Sequence, residues 1–144
     1  QYITDIAKMA SKTKTGAIMI LTQIDSLADF CESGVEMNAE ISVPMIESIF
    51  YKNSPLHDGA VIIRDNKIIS ARSVLPVSNS NEIPGHLGMR HRAAIGITEE
   101  TDAIAIIVSE ERGEISYVKD GELFTKRTTQ QLQEFLNRIF TKKQ

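Results

Sequence analysis

Two uninterrupted apolar runs constrain this chain more than any other feature. Gly16-Ala17-Ile18-Met19-Ile20-Leu21 and Ala103-Ile104-Ala105-Ile106-Ile107-Val108 contain no charged or hydrogen-bonding side chain. Each has the length of a strand. A strand without polar alternation has no face to give to water, so both must be covered on two sides. Helices suited to covering them flank the runs. Ile3, Ile6, Ala7 and Ala10 fall at helical spacing in an opening helix that ends in the polar residues 11–15. Ser26 is placed to cap a short helix bearing Leu27, Phe30 and Cys31, with Gly34 just past its end. Ser42 precedes Val43-Pro44, a usual helix opening, with Met45, Ile46, Ile49 and Phe50 as its buried stripe and residues 53–55 as its stop. A further helix is expected from about Met89 to Ile97. The last opens with Thr128 and Gln131 as a capping box and carries Leu132, Phe135, Leu136, Ile139 and Phe140, with Lys142 and Lys143 at its C-terminal dipole. Two hairpins complete the set. One joins Ala60–Arg64 to a strand from Lys67 to Pro76 through Asp65-Asn66; the other joins Ile115–Lys119 to a strand from Glu122 to Thr125 through Asp120-Gly121. The expected fold is α/β, a central mixed β-sheet flanked by helices on both faces.

The 144 residues suffice for one domain, 1–144, with a single core. A net charge of −3 and a pI near 5.6 give no basic field of the kind that holds nucleic acid. Any polyanion must be gripped locally. The single cysteine, Cys31, excludes an internal disulfide and fits a reducing compartment; it has no activating neighbour in sequence and is expected to be buried or half-buried. No apolar run approaches the length of a bilayer span and no signal peptide is visible, so the domain itself is expected to be soluble. Because it begins with Gln and not Met, it is expected to be a piece of a longer protein.

Three stretches carry chemistry. The first is Pro55-Leu56-His57-Asp58-Gly59-Ala60, where an imidazole and a carboxylate stand at the mouth of the Ala60–Arg64 strand. Asp-Gly alone is most often a turn, since the pair favours positive φ. Here the hairpin turn lies further on, at Asp65-Asn66, and a proline loop precedes Asp58, which leaves Asp58 available as a site residue. Gly59 removes the side chain where a ligand would touch backbone. The second stretch, Gly85-His86-Leu87-Gly88-Met89-Arg90-His91-Arg92, feeds a glycine-bearing loop into a helix N-terminus, whose unpaired N–H groups and positive dipole end attract anions. Arginine adds a planar fork suited to phosphate oxygens. Residues two apart on a helix point to nearly opposite sides, so Arg90 and Arg92 cannot clamp one phosphate together. Arg90 shares the inward face of Ala93, Ala94 and Ile97; one arginine is expected at the substrate, and the other orients the loop or meets a neighbouring subunit.

The third stretch is Ser109-Glu110-Glu111, at the carboxyl end of a buried strand, where α/β proteins place their sites. Asp58 opens its strand and Glu111 follows the end of another. They can meet only if those two strands run antiparallel. A histidine with carboxylates suits a divalent ion that also binds phosphate, and Asp58 could accept a proton from an attacking hydroxyl.

Leu56-His57-Asp58-Gly59-Ala60 followed by Leu87-Gly88-Met89-Arg90-His91-Arg92-Ala93-Ala94 resembles the paired Asp-Gly-Ala and Arg-His-Arg motifs of diadenylate cyclase domains. The agreement extends to Asn38-Ala39-Glu40, Leu75-Pro76-Val77 and Val108-Ser109-Glu110-Glu111, so it runs in order along nearly the whole chain. It is nearest to the membrane-tethered class, in which transmembrane helices precede the catalytic domain. One position departs. The family often has threonine directly before Arg-His-Arg, where this chain has Met89, so a hydroxyl for phosphate is missing and that contact falls to backbone or is lost.

The resemblance implies a nucleotidyltransferase that condenses two ATP molecules into cyclic di-AMP, each 3′-hydroxyl attacking the α-phosphate of the other ATP. It implies Asp58 as the catalytic residue that activates or orients the hydroxyl. His57 and Glu111 become the contacts of a divalent ion, Mn²⁺ or Mg²⁺ with Co²⁺ a further candidate, directly or through phosphates. Gly59, Ala60 and Leu75 would meet ribose and base, and Gly88, Met89, Arg90, His91, Arg92 and Ser109 the triphosphate. Because one domain holds one ATP, a homodimer is required. The resemblance also implies a place at the cytoplasmic face of the bacterial membrane, through an anchor preceding the domain, and leaves room for a regulatory protein partner. Two other readings compete. His57-Asp58 spells the dipeptide of metal-dependent HD phosphohydrolases, but those need more histidines on a helical scaffold than His57, His86 and His91 supply. The fold could also bind nucleotide as a catalytically weak or inactive sensor, with Met89 the mark of lost activity.

Overall fold

The structure, a computed structural model, describes residues 2–25, 27–51, 59–78 and 88–141. Its elements follow the order α1 (Tyr2–Thr13), β1 (Ala17–Leu21), α2 (Ala28–Glu32), β2 (Val35–Glu40), α3 (Val43–Phe50), β3 (Ala60–Arg64) and β4 (Lys67–Ser73), then α4 (Met89–Glu100), β5 (Ile104–Val108), β6 (Ile115–Lys119), β7 (Glu122–Arg127) and α5 (Thr129–Thr141). All seven strands form one sheet in the order β2-β4-β3-β1-β5-β6-β7. β1 pairs with β3 in parallel and with β5 antiparallel, and every other pairing is antiparallel, so the sheet is mixed as expected.

The two apolar runs take the interior of this sheet, and every residue of β1 and β5 is buried. Alternate side chains divide between two layers. Ala17, Met19, Val61, Ile63, Ile104 and Ile106 pack with Ile6, Ile46, Ile49, Leu132 and Phe135 of α1, α3 and α5. On the other face Ile18, Ile20, Ala60, Ile62, Ala105 and Ile107 pack with Leu27 and with Ala94, Ile95 and Ile97 of α4. Each Val, Leu, Ile, Met or Phe side chain among them contributes about 1.5–3 kcal/mol by leaving water. Tyr117 stacks on Phe135 at 3.8 Å between ring centres and ties α5 to the sheet.

Local signals match most of the expected ends. Ser42 Oγ accepts from the Met45 N–H at 3.2 Å, with Pro44 in the first turn of α3. Thr128 and Gln131 form a reciprocal box: the Thr128 N–H donates to Gln131 Oε1 at 2.8 Å and the Gln131 N–H to Thr128 Oγ1 at 3.0 Å. Both hairpin turns place their central residues at positive φ, Asp65 and Asn66 in one, Asp120 and Gly121 in the other.

Three expectations are corrected, and residues 35–40, unassigned in the sequence, form a strand, β2, at the sheet edge. The second strand of the first hairpin stops at Ser73, short of Pro76, because Arg72 turns to φ +57° and the pairing slips against β3. α2 has Leu27 at its N-cap, in the left-handed region, and Asp25 Oδ1 accepts the Leu27 N–H at 2.9 Å; Ser26, expected there, lies outside the described residues. α4 and β7 run longer than expected, to Glu100 and Arg127. The stop at residues 53–55, the 79–87 part of the loop and Lys142 and Lys143 also lie outside the described residues.

Candidate active site

Strand direction assembles the site. Because β1 runs parallel to β3 and antiparallel to β5, the amino ends of β1 and β3 and the carboxyl end of β5 reach one edge of the sheet. The antiparallel relation that a meeting of the Asp58 and Glu111 segments requires is present, with β1 between them. Two strand spacings put the start of β3 at Ala60 and the end of β5 at Val108 about 10 Å apart along the edge. His57 and Asp58 lie outside the described residues, as does His86. Gly59 and Ala60, which follow Asp58 directly, stand at this edge.

Gly59 has φ +90°, and a Cβ there would lie 2.8 Å from the Arg72 carbonyl carbon and the Ser73 carbonyl oxygen. The neighbouring strand's backbone therefore demands glycine, whatever a ligand adds. Ala60 is buried and continues the floor.

α4 delivers its N-terminus to the same edge. Gly88 caps it in an extended conformation, its carbonyl accepting from the Arg92 N–H at 3.2 Å. The helix lies hard against the segment after β4, where the Ser78 N–H donates to the Arg92 carbonyl at 3.1 Å. The two arginines part as their spacing requires. Arg90 lines both clefts described below and Arg92 lines neither. The Arg90 guanidinium rests over Gly16, with Cζ, Nη1 and Nη2 at 2.8–2.9 Å from where a Cβ would sit. Its Nη1 faces Glu110 Oε1 at 3.7 Å.

Two clefts meet at Met89 and Arg90. One, of about 420 Å³, is apolar apart from Arg90 and Ser73; Ile18, Gly59, Ala60, Val74, Leu75, Val77, Met89 and Ala93 line it. The other, of about 410 Å³, is polar, with Gly88, Arg90, His91, Ser109, Glu110, Glu111, Arg112, Glu114, Thr125 and Lys126 on its walls. A ligand with a flat apolar end and a charged end matches such a pair, whereas either cleft alone matches only one end. Leu75 is buried at 8% exposure and serves core and cleft at once. Met89 is 66% exposed and forms the rim between the clefts. Ser109 Oγ accepts from the Glu111 N–H at 3.3 Å, which shapes the loop after β5 and leaves the hydroxyl hydrogen to donate.

Among the described residues no group of three or more His, Cys, Asp or Glu side chains is placed to hold a metal ion. Glu111 offers one exposed carboxylate at the polar cleft. A carboxylate of this kind suits a hard cation shared with phosphate oxygens. A larger cleft, about 530 Å³, lies at the opposite sheet edge, lined by Asp25, Glu99, Glu100, Asp102 and Asp120. Its carboxylates would repel a polyphosphate, so volume does not decide the site.

Glu110 was named in the sequence only as part of its stretch, without a role, and Arg112 and Lys126 were not singled out for this cleft. Arg112 directly follows Glu111, and a basic residue there was the available signal. Lys126 gave none, because it reaches the cleft only through the order β5-β6-β7.

Residues 5–123 match the DAC family model, DisA bacterial checkpoint controller nucleotide-binding. The chain is 42% identical over 124 residues to diadenylate cyclase CdaS of Bacillus thuringiensis, covering 86% of this chain and 62% of that protein. It is 40% identical to a double mutant of DacA from Staphylococcus aureus, a crystal structure superposing with a TM-score of 0.92 over 96% of this chain and 92% of the other. A hypothetical membrane spanning protein from Bacillus cereus is 41% identical, with a TM-score of 0.84 over 88% of this chain and 62% of the other. The chain spans 62%, 56% and 52% of the length of three of the curated relatives it matches.

Proposed function

The chain belongs to the diadenylate cyclase family, and we propose that it condenses two ATP molecules into cyclic di-AMP with release of two pyrophosphates. The observation that carries this is the junction of an apolar and a polar cleft at Met89 and Arg90, on the sheet edge where Gly59 and Ala60 stand. Adenine lies against Ile18, Ala60 and Leu75. The triphosphate lies along the N-terminus of α4 and the loop after β5, where Gly88, Arg90, His91 and Ser109 offer positive charge and hydrogen-bond donors. Gly59 lets the ribose approach backbone. Arg92, which lines neither cleft, takes the other role open to it, orienting the loop or meeting a facing subunit.

Asp58 orients the 3′-hydroxyl and accepts its proton as the oxygen bonds to the α-phosphorus of the other ATP. The bond from that phosphorus to the bridging oxygen breaks, and pyrophosphate leaves with the electron pair. Arg90 and the helix N-terminus offset charge on the phosphates through positions set before reaction. His57 and Glu111, with the substrate phosphates, would hold Mn²⁺ or Mg²⁺, which would supply further positive charge there. Each domain holds one ATP, so two copies must face one another about a two-fold axis for both attacks to occur. Among the described residues no helix is long and apolar enough to cross a membrane. The likeness to the Bacillus cereus protein supports an anchor elsewhere in the full protein, and a regulatory partner would act on the assembled dimer.

The test is to incubate the purified chain with ATP and Mn²⁺ or Mg²⁺ and to identify products by mass. Cyclic di-AMP with two pyrophosphates per product, at a rate rising with the square of protein concentration while the dimer is weak, is expected. ATP binding without product at any concentration would replace this reading with that of a nucleotide-binding sensor.

A further inference from the structure

Arginine on the first turn of a helix, with a third of its side chain in solvent, ordinarily samples many rotamers. Arg90 is confined from two directions. Below it, Gly16 provides a bare backbone surface, and a Cβ would come within 2.8–2.9 Å of three guanidinium atoms. Beside it stands Glu110, whose Oε1 is 3.7 Å from Nη1. That separation exceeds a hydrogen bond but keeps charge attraction, so the fork retains donors for another anion. The backbone that carries Glu110 is itself held in place. The Ser109 N–H donates to the Glu114 carbonyl at 3.0 Å and the Gly113 N–H to the Ser109 carbonyl at 2.9 Å, which fixes the loop that carries it. A carboxylate beside a cleft meant for phosphates is unfavourable by itself; pairing with Arg90 gives it a use.

We propose that Gly16 and Glu110 together set the Arg90 guanidinium across the junction of the two clefts, and are positioning residues for the cyclase reaction. This rests on the function proposed above. Gly16 fixes the height of the fork over the sheet and Glu110 its direction. Replacing Glu110 by glutamine removes both the direction and a charge that repels ATP, so turnover falls while apparent substrate affinity does not. Replacing Gly16 by alanine displaces the end of a flexible side chain and leaves the fold in place.

The test compares wild type, Gly16→Ala and Glu110→Gln, each alone and combined with Arg90→Lys, which keeps the charge and removes the fork. Each single variant is expected to lower kcat about tenfold, the order of loss caused by a modest misplacement, with KM unchanged or lower and the melting temperature unchanged. In the Arg90→Lys background neither substitution should lower kcat further. A second reading needs no turnover: the Arg90 Nε–H signal in a ¹⁵N spectrum, identified by its loss in Arg90→Lys, should shift or broaden in both variants. An unchanged Nε–H signal, or losses that add in full without the fork, overturns the inference. Absence of cyclic di-AMP from wild type overturns the proposed function instead, and the spectrum still decides the positioning.

Discussion

Ala17 stands opposite Val108 in the antiparallel register of β1 and β5. That pairing ends the buried part of both strands at one level and sends Ser109-Glu110-Glu111 out beside Gly16. The parallel pairing of Met19 with Val61 brings Gly59 and Ala60 to the same level from the other side. Three segments far apart in sequence are thus gathered by register alone.

Gly59 is held to glycine by the backbone beside it. Gly59→Ala would hold a Cβ at φ +90° against the Arg72-Ser73 backbone, and is expected to cost about 1–3 kcal/mol of stability. Denaturant unfolding followed by circular dichroism measures it, and cyclase activity should fall more than the folded fraction does.

Met89 is a rim residue, 66% exposed, and contributes little to packing. Met89→Thr should therefore leave stability within about 0.5 kcal/mol. It restores a hydroxyl at the helix start beside the polar cleft. A new hydrogen bond of about 1 kcal/mol corresponds to roughly fivefold tighter nucleotide binding, measurable by calorimetry with a non-reacting ATP analogue.

Much of this was legible in advance because the physics was local. The β1 and β5 runs could only be interior strands, the Thr128 and Gln131 box is a matter of spacing, and Asp65-Asn66 selects its own turn. What escaped depended on partners far along the chain. Val35-Glu36-Met37-Asn38-Ala39-Glu40 is the exception: it alternates apolar and polar residues strictly, as a half-buried strand does, so β2 was legible locally, although Asn38 at positive φ breaks its regularity. The end of β4 follows from a bulge against β3 that no residue type at Pro76 announces. At the site, the separation of Arg90 from Arg92 followed from helical geometry, while the Arg90–Glu110 pair and Lys126 required the sheet order. His57 and Asp58, the residues on which the sequence reading rests most heavily, lie outside the described residues and keep their roles as proposals.

Thr128 and Gln131 of the α5 box line neither cleft and offer a control. Thr128→Ala removes one bond of the reciprocal pair and is expected to cost about 1 kcal/mol of stability by thermal unfolding, with kcat and KM unchanged below the transition.

Cys31 is half-buried, and burial raises its thiol above the ordinary pKa against a smaller opposing effect of the Arg64 charge. The folded chain therefore holds less thiolate than the unfolded chain at mildly alkaline pH. Iodoacetamide should label native protein more slowly than urea-unfolded protein, the native rate rising only at higher pH. Equal rates across that range would count against the burial.

The most direct measurement of the central claim is to quantify cyclic di-AMP by mass from the native chain and from Asp58→Asn, side by side, with ATP and Mn²⁺. The account predicts cyclic di-AMP from the native chain, a loss of at least about a hundredfold in the variant, and ATP affinity nearly unchanged. Cyclic di-AMP formed equally by both proteins would contradict the role of Asp58, and none from the native chain would contradict the cyclase.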